Sequence, residues 1–427
     1  MNPPPTATMA DLLRNRGFRY FWLANLLSNL GTSAFVLAIT WLTVKQHGAA
    51  GIATLALAYG VPQLLLQLVG GTLSDRIDRR AIYTVTESAL LAMALLILAA
   101  SLQEVVPLWL LALVNGCNGA IAAFDTPART ALISDMVPPE QVVTAQQLYS
   151  LSANFTNIFG PALGGVLLSL GPTARSHEEI AFGFDVLTFL PLLLCIPWLP
   201  RTRAKPIPQA GEAPSQRPDA NFRQGLREGL AFVRYRPDLR LLLALLALVM
   251  LLGMPFQGLL PVFVHRHLSI ETGHGFYAAL MSAVGLGAFV GSLGGLVIGR
   301  WRAGPVLASA AVGLGVAVLL LAFSNVVHWA SLAAFLAGAC GNLALGLDNA
   351  LMQGSTPLLM QGRVNAIANL TKGLQSLSTA GAGYLMQLSG GGGTNGVGYQ
   401  LVQVPMALGL LLGVWLLWPR LRRLELV

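Results

Sequence analysis

Gly71-Thr72-Leu73-Ser74-Asp75-Arg76-Ile77-Asp78-Arg79-Arg80 places five charged residues in ten positions of a chain in which only 10% of residues are charged. Long apolar runs flank the stretch on both sides. Neither such charge nor non-helical backbone can be left in hydrocarbon, so the stretch reads as a short aqueous loop between two membrane helices. The rest of the chain agrees: 55% of its 427 residues are hydrophobic, above the roughly 45 to 50% of soluble domains.

Crossing about 30 Å of hydrocarbon takes about 20 mainly apolar residues. By that measure the sequence predicts an all-α integral membrane protein with twelve transmembrane helices. The first six lie near 18–44, 51–71, 81–101, 107–125, 145–170 and 180–199. Six more lie near 240–263, 275–298, 304–324, 329–348, 364–388 and 399–418. Three parts result: an N-terminal six-helix bundle over 1–200, a cytoplasmic linker over 201–238 and a C-terminal six-helix bundle over 239–427. The linker holds Pro206, Pro208, Pro214 and Pro218 and then apolar residues at helical spacing from Asn221 to Val233, which predicts an extended tether followed by an amphipathic surface helix.

With both termini in the cytoplasm, only Lys45, Arg175 and Arg266 of the 26 lysines and arginines fall outside, leaving 26 − 3 = 23 inside. That asymmetry obeys the positive-inside rule, accounts for the net charge of +8, and removes nucleic acid as a partner. Met1 to Ala10 carry no basic start followed by a short apolar segment, so no cleavable signal peptide is expected. Cys117, Cys195 and Cys340 lie in apolar runs and read as packing residues. The six histidines fall at the outer surface, and His265-x-His267 lacks a third ligand, so no metal site and no cofactor is assigned. No phosphate-binding loop of the G-x-x-x-x-G-K-[ST] type and no nucleophile elbow occurs, which points away from an enzyme and towards a gradient as the energy source.

An offset of 223 residues aligns the two halves. Gly71 meets Gly294, Leu73 meets Leu296, Arg79 meets Arg302, Cys117 meets Cys340, Asp125 meets Asp348, Ala145 meets Ala368 and Gly160 meets Gly383. Two parallel six-helix repeats are the pattern of transporters that bind substrate near the bilayer midplane. The 46 glycines, among them Gly285, Gly287, Gly291, Gly294 and Gly295 on one helix, would let helix backbones approach closely.

These residues resemble the major facilitator superfamily across essentially the whole chain. Gly71-x-Leu73-x-Asp75-Arg76-x-x-Arg79-Arg80 is similar to the family's loop signature between helices two and three. Gly160-Pro161-Ala162-Leu163-Gly164-Gly165 resembles the helix-five element of its drug and proton antiporters, with Thr156 where a further glycine is usual. Asn115, four residues before Gly119, replaces an arginine usual in those branches, which puts a proton-coupling role for helix four in doubt. Leu12 to Trp22, the Pro127-Ala128-Arg129-Thr130-Ala131-Leu132-Ile133 stretch and Arg227 to Val233 look most like the secretion-effector, enterobactin-exporter-like branch. The resemblance implies a multi-pass protein of the bacterial cytoplasmic (inner) membrane.

In the family, Asp75 sits near the amino end of helix eleven and would lock the inner gate. Arg76 and Arg80 belong to the same gate loop, and Gly71, Gly160, Pro161, Gly164 and Gly165 to the moving helices. We expect an ion pair between Arg79 and Asp125, which would end helix four, and its echo, Arg302 with Asp348, in the second half. Ile298 stands opposite Asp75, so the latch should be stronger on the first half. Glu87, opposite Ala310, and Asp185, opposite Leu408, have no repeat partner. As intramembrane carboxylates they are proton-coupling candidates, Glu87 about two turns into helix three and Asp185 about one turn into helix six. Either could instead be a hydrogen-bonded packing acid.

Helices one, four, seven and ten face the centre in this superfamily, so the resemblance implies a substrate cavity lined by Asn25, Asn29, Thr32, Ser33, Asn115, Asn118, Phe256, Gln257 and Asn342, to which Tyr59, Gln63 and Gln67 on helix two would add. Such a cavity is polar and nearly uncharged, which suits a small amphiphilic molecule. The sequence thus predicts a monomeric secondary active exporter, exchanging protons for a siderophore or drug. A same-fold importer, a lysolipid flippase and a non-transporting sensor are the alternatives.

Overall fold

The structure, a computed structural model, describes residues 9–74, 77–170, 176–199, 231–268, 273–298, 303–389 and 397–422. A short helix α1 (Met9–Arg14) leads into α2 (Arg16–Ser74), which runs without a loop through the first two predicted crossings. At about 1.5 Å per residue a straight helix of this length would be more than twice as long as the hydrocarbon is thick. Gly48 resolves the conflict: its φ of 64° and ψ of −154° suit a residue without Cβ and break α2 into two arms. There follow α3 (Arg79–Ser101), α4 (Leu108–Asp135), α5 (Val142–Ser169) and α6 (Ser176–Cys195). Asp78, from the charged loop, caps α3 by accepting from the Arg80 amide at 3.0 Å.

The later helices are α7 (Pro237–Leu248), α8 (Phe256–Val262), α9 (His274–Ile298), α10 (Ala303–Ala322), α11 (Val327–Gly354), α12 (Leu358–Leu388) and α13 (Val397–Leu421). Wider π turns at Val249–Gly253 and Phe263–His267 extend α7 and α8 into one bent rod. At the bend α12 adds hydrogen bonds to its carbonyls: Ser378 donates to Leu251 O, and Gln375 donates to Met254 O at 3.5 Å. Ten stretches among the described residues are long and apolar enough to cross a membrane. The first of them holds both arms of α2, and the 31-residue α12 is a further long helix, so the rods accommodate the twelve crossings expected.

Packing divides the chain into two compact units that do not follow the expected cuts at 200 and 239. One comprises Met1–His47, Ala58–Lys205 and Thr272–Ser282; the other comprises Gly48–Leu57, Pro206–Glu271 and Ala283–Val427. The segments beginning at Gly48 and Thr272 are near-equivalents under the 223-residue offset, which a linear division of the sequence could not assign.

In the first unit Leu12, Phe18, Phe21, Tyr83, Leu132, Ile133, Leu148, Leu192 and Leu199 form one apolar core, and Phe21 meets Tyr83 edge-on at 5.7 Å. Glycines bring its helices together. A Cβ on Gly160 would overlap the Ser33 hydroxyl, one on Gly164 would stand 3.1 Å from Ala34 Cα, and one on Gly119 would overlap the Tyr59 carbonyl. The helix-five element is therefore a close-packing surface against the first arm of α2. In the second unit Gly287 and Gly291 lie against the backbone of α11 at Phe335 and Ala339.

Candidate functional site: a buried cluster of carboxylates and arginine

Helix α4 continues ten residues beyond Asp125, to Asp135, and the extension carries Arg129 inward. Asp125 and Arg129 are one helical turn apart, so their side chains lie on one face and form an ion pair. Arg129 also donates from Nη2 to Glu87 on α3 at 3.1 Å. Its Nη1 donates to the side-chain oxygens of Asn25 at 3.2 Å and Asn29 at 3.3 Å, both on the first arm of α2. Thr86 donates to Asp125 at 3.1 Å, Tyr83 donates to Asn25 at 3.2 Å, and the Arg129 guanidinium stands 5.6 Å from the centre of the Tyr83 ring.

Glu87 is 1% exposed and Asp125 6%. Burying three charged groups is costly, and their attraction offsets the cost only when the remaining hydrogen-bonding capacity is filled. Here Tyr83, Thr86, Asn25 and Asn29 fill much of it. The sum of charges is the feature with chemical consequence: two carboxylates share one guanidinium, so the fully ionised cluster carries one net negative charge. Binding a single proton or other monovalent cation neutralises it.

The expected pairing of Arg79 with Asp125 is corrected. Arg79 lies at the start of α3 and pairs with Asp135 at 2.8 Å, because α4 reaches far enough to bring Asp135 alongside, while Asp125 is occupied by Arg129. Arg80 donates to the Leu199 carbonyl at 3.1 Å, tying the charged loop to the end of the sixth crossing. Gly71 lies in the second arm of α2. Asp75, Arg76 and Arg302 lie outside the described residues, as does the linker over 201–230. Asp348 is buried at 2% exposure in α11.

Asp185 sits deeper than expected. Helix α6 starts at Ser176, nine residues earlier, which places Asp185 about two and a half turns in. Asn25 is 2% exposed and faces the ion cluster rather than an open cavity. Asn115 and Asn342 turn their amides onto carbonyls of their own helices, Leu111 at 2.9 Å and Gly338 at 3.3 Å. Phe256 is fully buried. The expectation of a nearly uncharged interior therefore fails around Asn25 and Asn29, where a formal charge lies within hydrogen-bond reach.

Among the described residues all regular structure is helical, and with paired six-helix repeats, a close-packed glycine element on the fifth crossing and an ion cluster inside the first four, it defines a polytopic membrane transporter. Residues 6–388 match the family described as transmembrane secretion effector, and the chain belongs to that family of the major facilitator fold. It is 26% identical over 421 residues to the multidrug efflux pump Tap of Mycolicibacterium fortuitum, covering 94% of this chain and 96% of that one. It is 26% identical over 408 residues to the enterobactin exporter EntS of Citrobacter koseri (93% and 92% covered), and 23% identical over 252 residues to the staphyloferrin A transporter of Staphylococcus aureus (58% and 59% covered). Among solved structures it resembles a mutant form of the nucleoside transporter NupG, with TM-score 0.72 at 12% identity over 94% of this chain and 98% of that one. A bacterial homologue of the iron transporter ferroportin gives TM-score 0.69 at 14% identity, covering 98% of this chain and 100% of that one.

Proposed function

We propose that the protein is a monomeric secondary active exporter of the bacterial inner membrane, with both termini in the cytoplasm, that exchanges protons for a small amphiphilic molecule of the siderophore or lipophilic-drug kind. The observation that carries the reading is the Glu87–Arg129–Asp125 cluster, a buried site one positive charge short of neutrality inside the membrane-spanning part of the first unit. A proton taken up by Glu87 releases Arg129 to Asp125 alone; its loss returns the shared arrangement. Because Arg129 also holds Asn25 and Asn29, each change of protonation acts directly on the first arm of α2. That coupling lets an ion gradient drive alternating access. The relatives named as a multidrug efflux pump and as an enterobactin exporter support the direction and the substrate class.

Inside-out vesicles containing the protein test the proposal. With an acidic interior they should accumulate a radiolabelled catecholate siderophore or a fluorescent lipophilic dye, and a protonophore should abolish the accumulation. Glu87→Gln should lose gradient-driven accumulation yet keep substrate-for-substrate exchange. Accumulation that ignores the protonophore, or a Glu87→Gln protein that concentrates substrate as well as the wild type, refutes the proton-coupled reading.

A further inference from the structure

A second carboxylate is buried apart from the cluster. Asp185 on α6 is 2% exposed, accepts a hydrogen bond from Thr32 at 3.3 Å, and offers its backbone carbonyl to Thr188 at 2.7 Å. Among the described residues no cation lies within ion-pair distance of it. Three helices pack around this part of α6. From α3 the group whose charge acts on Asp185 is Glu87; α5 brings Tyr149 as its titratable residue; the first arm of α2 brings Lys45, at its far end and paired with Glu178 at 3.6 Å. Glu178 and Glu179 are the other acids of α6 and lie in its first turn.

The surroundings leave little space. A Cβ on Gly31 would stand 3.0 Å from Asp185 Oδ1 and would overlap the Thr188 hydroxyl. A substrate ammonium or aromatic group has no room on that side, whereas a proton needs none. An ionised carboxylate isolated among apolar groups is costly, and such a group takes a proton instead. Glu87 has Arg129 as a counter-ion, while the Asp185 carboxylate has the Thr32 hydroxyl.

The first arm of α2 joins the two sites. Asn25, Asn29 and Thr32 recur at i, i+4 and i+7, which puts them in one stripe along the helix. Asn25 and Asn29 accept from Arg129, and Thr32 donates to Asp185. The stripe is about 10 Å long at 1.5 Å per residue.

We infer that Asp185 is a second proton-binding residue, coupled through the Asn25–Asn29–Thr32 stripe and through electrostatics to the Glu87 cluster, so that the two sites titrate as one system. Uptake forms an O–H bond on the Asp185 carboxylate with a proton drawn from water, and release returns the proton to water. The inference rests on the proton-coupled reading above, but its test is read without substrate or gradient, so either can fail alone.

Infrared difference spectroscopy of the full-length protein in phosphatidylethanolamine and phosphatidylglycerol liposomes provides that test. At neutral pH the wild type should show a protonated-carboxyl C=O band that shifts on exchange into D2O. Glu87→Gln, which removes the carboxyl of the other site, should keep a band that the double variant Glu87→Gln, Asp185→Asn loses, and Thr32→Val, which removes a hydrogen bond, should move its frequency. In Glu87→Gln the pH at which the band disappears should shift from the wild type, because a charge that acts on Asp185 has been removed. A band that survives when Asp185→Asn is added to Glu87→Gln overturns the assignment, and a midpoint in Glu87→Gln unmoved from the wild type overturns the coupling. If Asp185→Asn fails to fold, an unchanged frequency in Thr32→Val overturns the assignment on its own.

Discussion

Replacing Arg129 with methionine removes the single cation of the cluster while keeping an unbranched side chain of similar length. Its attraction to Glu87 at 3.1 Å amounts to about 5 kcal/mol at an effective dielectric of about 20, with Asp125 adding a comparable attraction. Against this stands the cost of taking three charges out of water, so the pair energies do not sum to stability. What the substitution leaves behind matters more: two buried carboxylates with no counter-ion, a loss of about 3 to 5 kcal/mol. At roughly 2 °C per kcal/mol for a large domain, the thermal midpoint should fall by about 6 to 10 °C. Purified protein in detergent, heated and assayed by fluorescence-detected size exclusion, reads that shift. The decisive comparison is the triple variant Arg129→Met, Glu87→Gln and Asp125→Asn, which has no charge left in the cluster and should recover most of the lost stability. If Arg129→Met melts like the exposed Arg16→Met control, or if neutralising both acids lowers the midpoint further, the cluster is not the electrostatic unit described above.

Three further outcomes follow from the packing. A double-mutant cycle between Arg79 and Asp135 should give a coupling of about 0.5 to 1 kcal/mol, modest because both side chains remain partly solvated, whereas Arg79 and Asp125 should be additive. Gly119→Ala, whose Cβ would fall on the Tyr59 carbonyl, should cost about 1 to 3 kcal/mol in thermal stability, while Gly183→Ala, with nothing within 4 Å, should be neutral or stabilising. Gly48→Ala should cost about 1 to 3 kcal/mol by straining the break in α2, measurable as a lower midpoint and, if the break positions the second crossing, as reduced expression in the membrane.

Most of the fold could be read from the sequence because membrane helices obey a one-dimensional rule: length and hydropathy suffice. The same rule misplaced the end of the fourth helix. Asp125, Thr126, Pro127, Arg129 and Thr130 lower the local hydropathy, so a span drawn by apolarity stops at Asp125 and leaves Arg129 in the cytoplasm. In the folded chain the helix continues, and Asp125 and Arg129 point into neighbouring helices instead of water. The Arg79–Asp125 pairing failed for that reason: once α4 is extended, Asp135 rather than Asp125 meets the start of α3. Gly48, by contrast, has a backbone conformation that no sequence period announces among 46 glycines.

A signal for Arg129 was nevertheless available in the repeat. Under the 223-residue offset Glu87 meets Ala310, Asp185 meets Leu408 and Arg129 meets Met352, so three charged residues of the first half are apolar in the second. Asn25 and Asn29 likewise meet Leu248 and Leu252. Residues that a duplicated scaffold needs for packing should recur in both copies, as Gly71, Cys117, Asp125 and Gly160 do. Those that one copy has and the other lacks are polar or charged, costly to bury, and unnecessary to a helical backbone, since the second copy is helical at the equivalent positions without them. In three dimensions these non-recurring polar residues converge: Arg129 binds Glu87, Asn25 and Asn29, and the stripe they begin ends at Asp185 through Thr32. Asymmetry between repeats, more than the depth of any single carboxylate, is therefore what marks the ion-coupling site proposed for the first unit. The recurring pair Asp125 and Asp348 marks what both halves share, and Arg129 marks what the first half does alone.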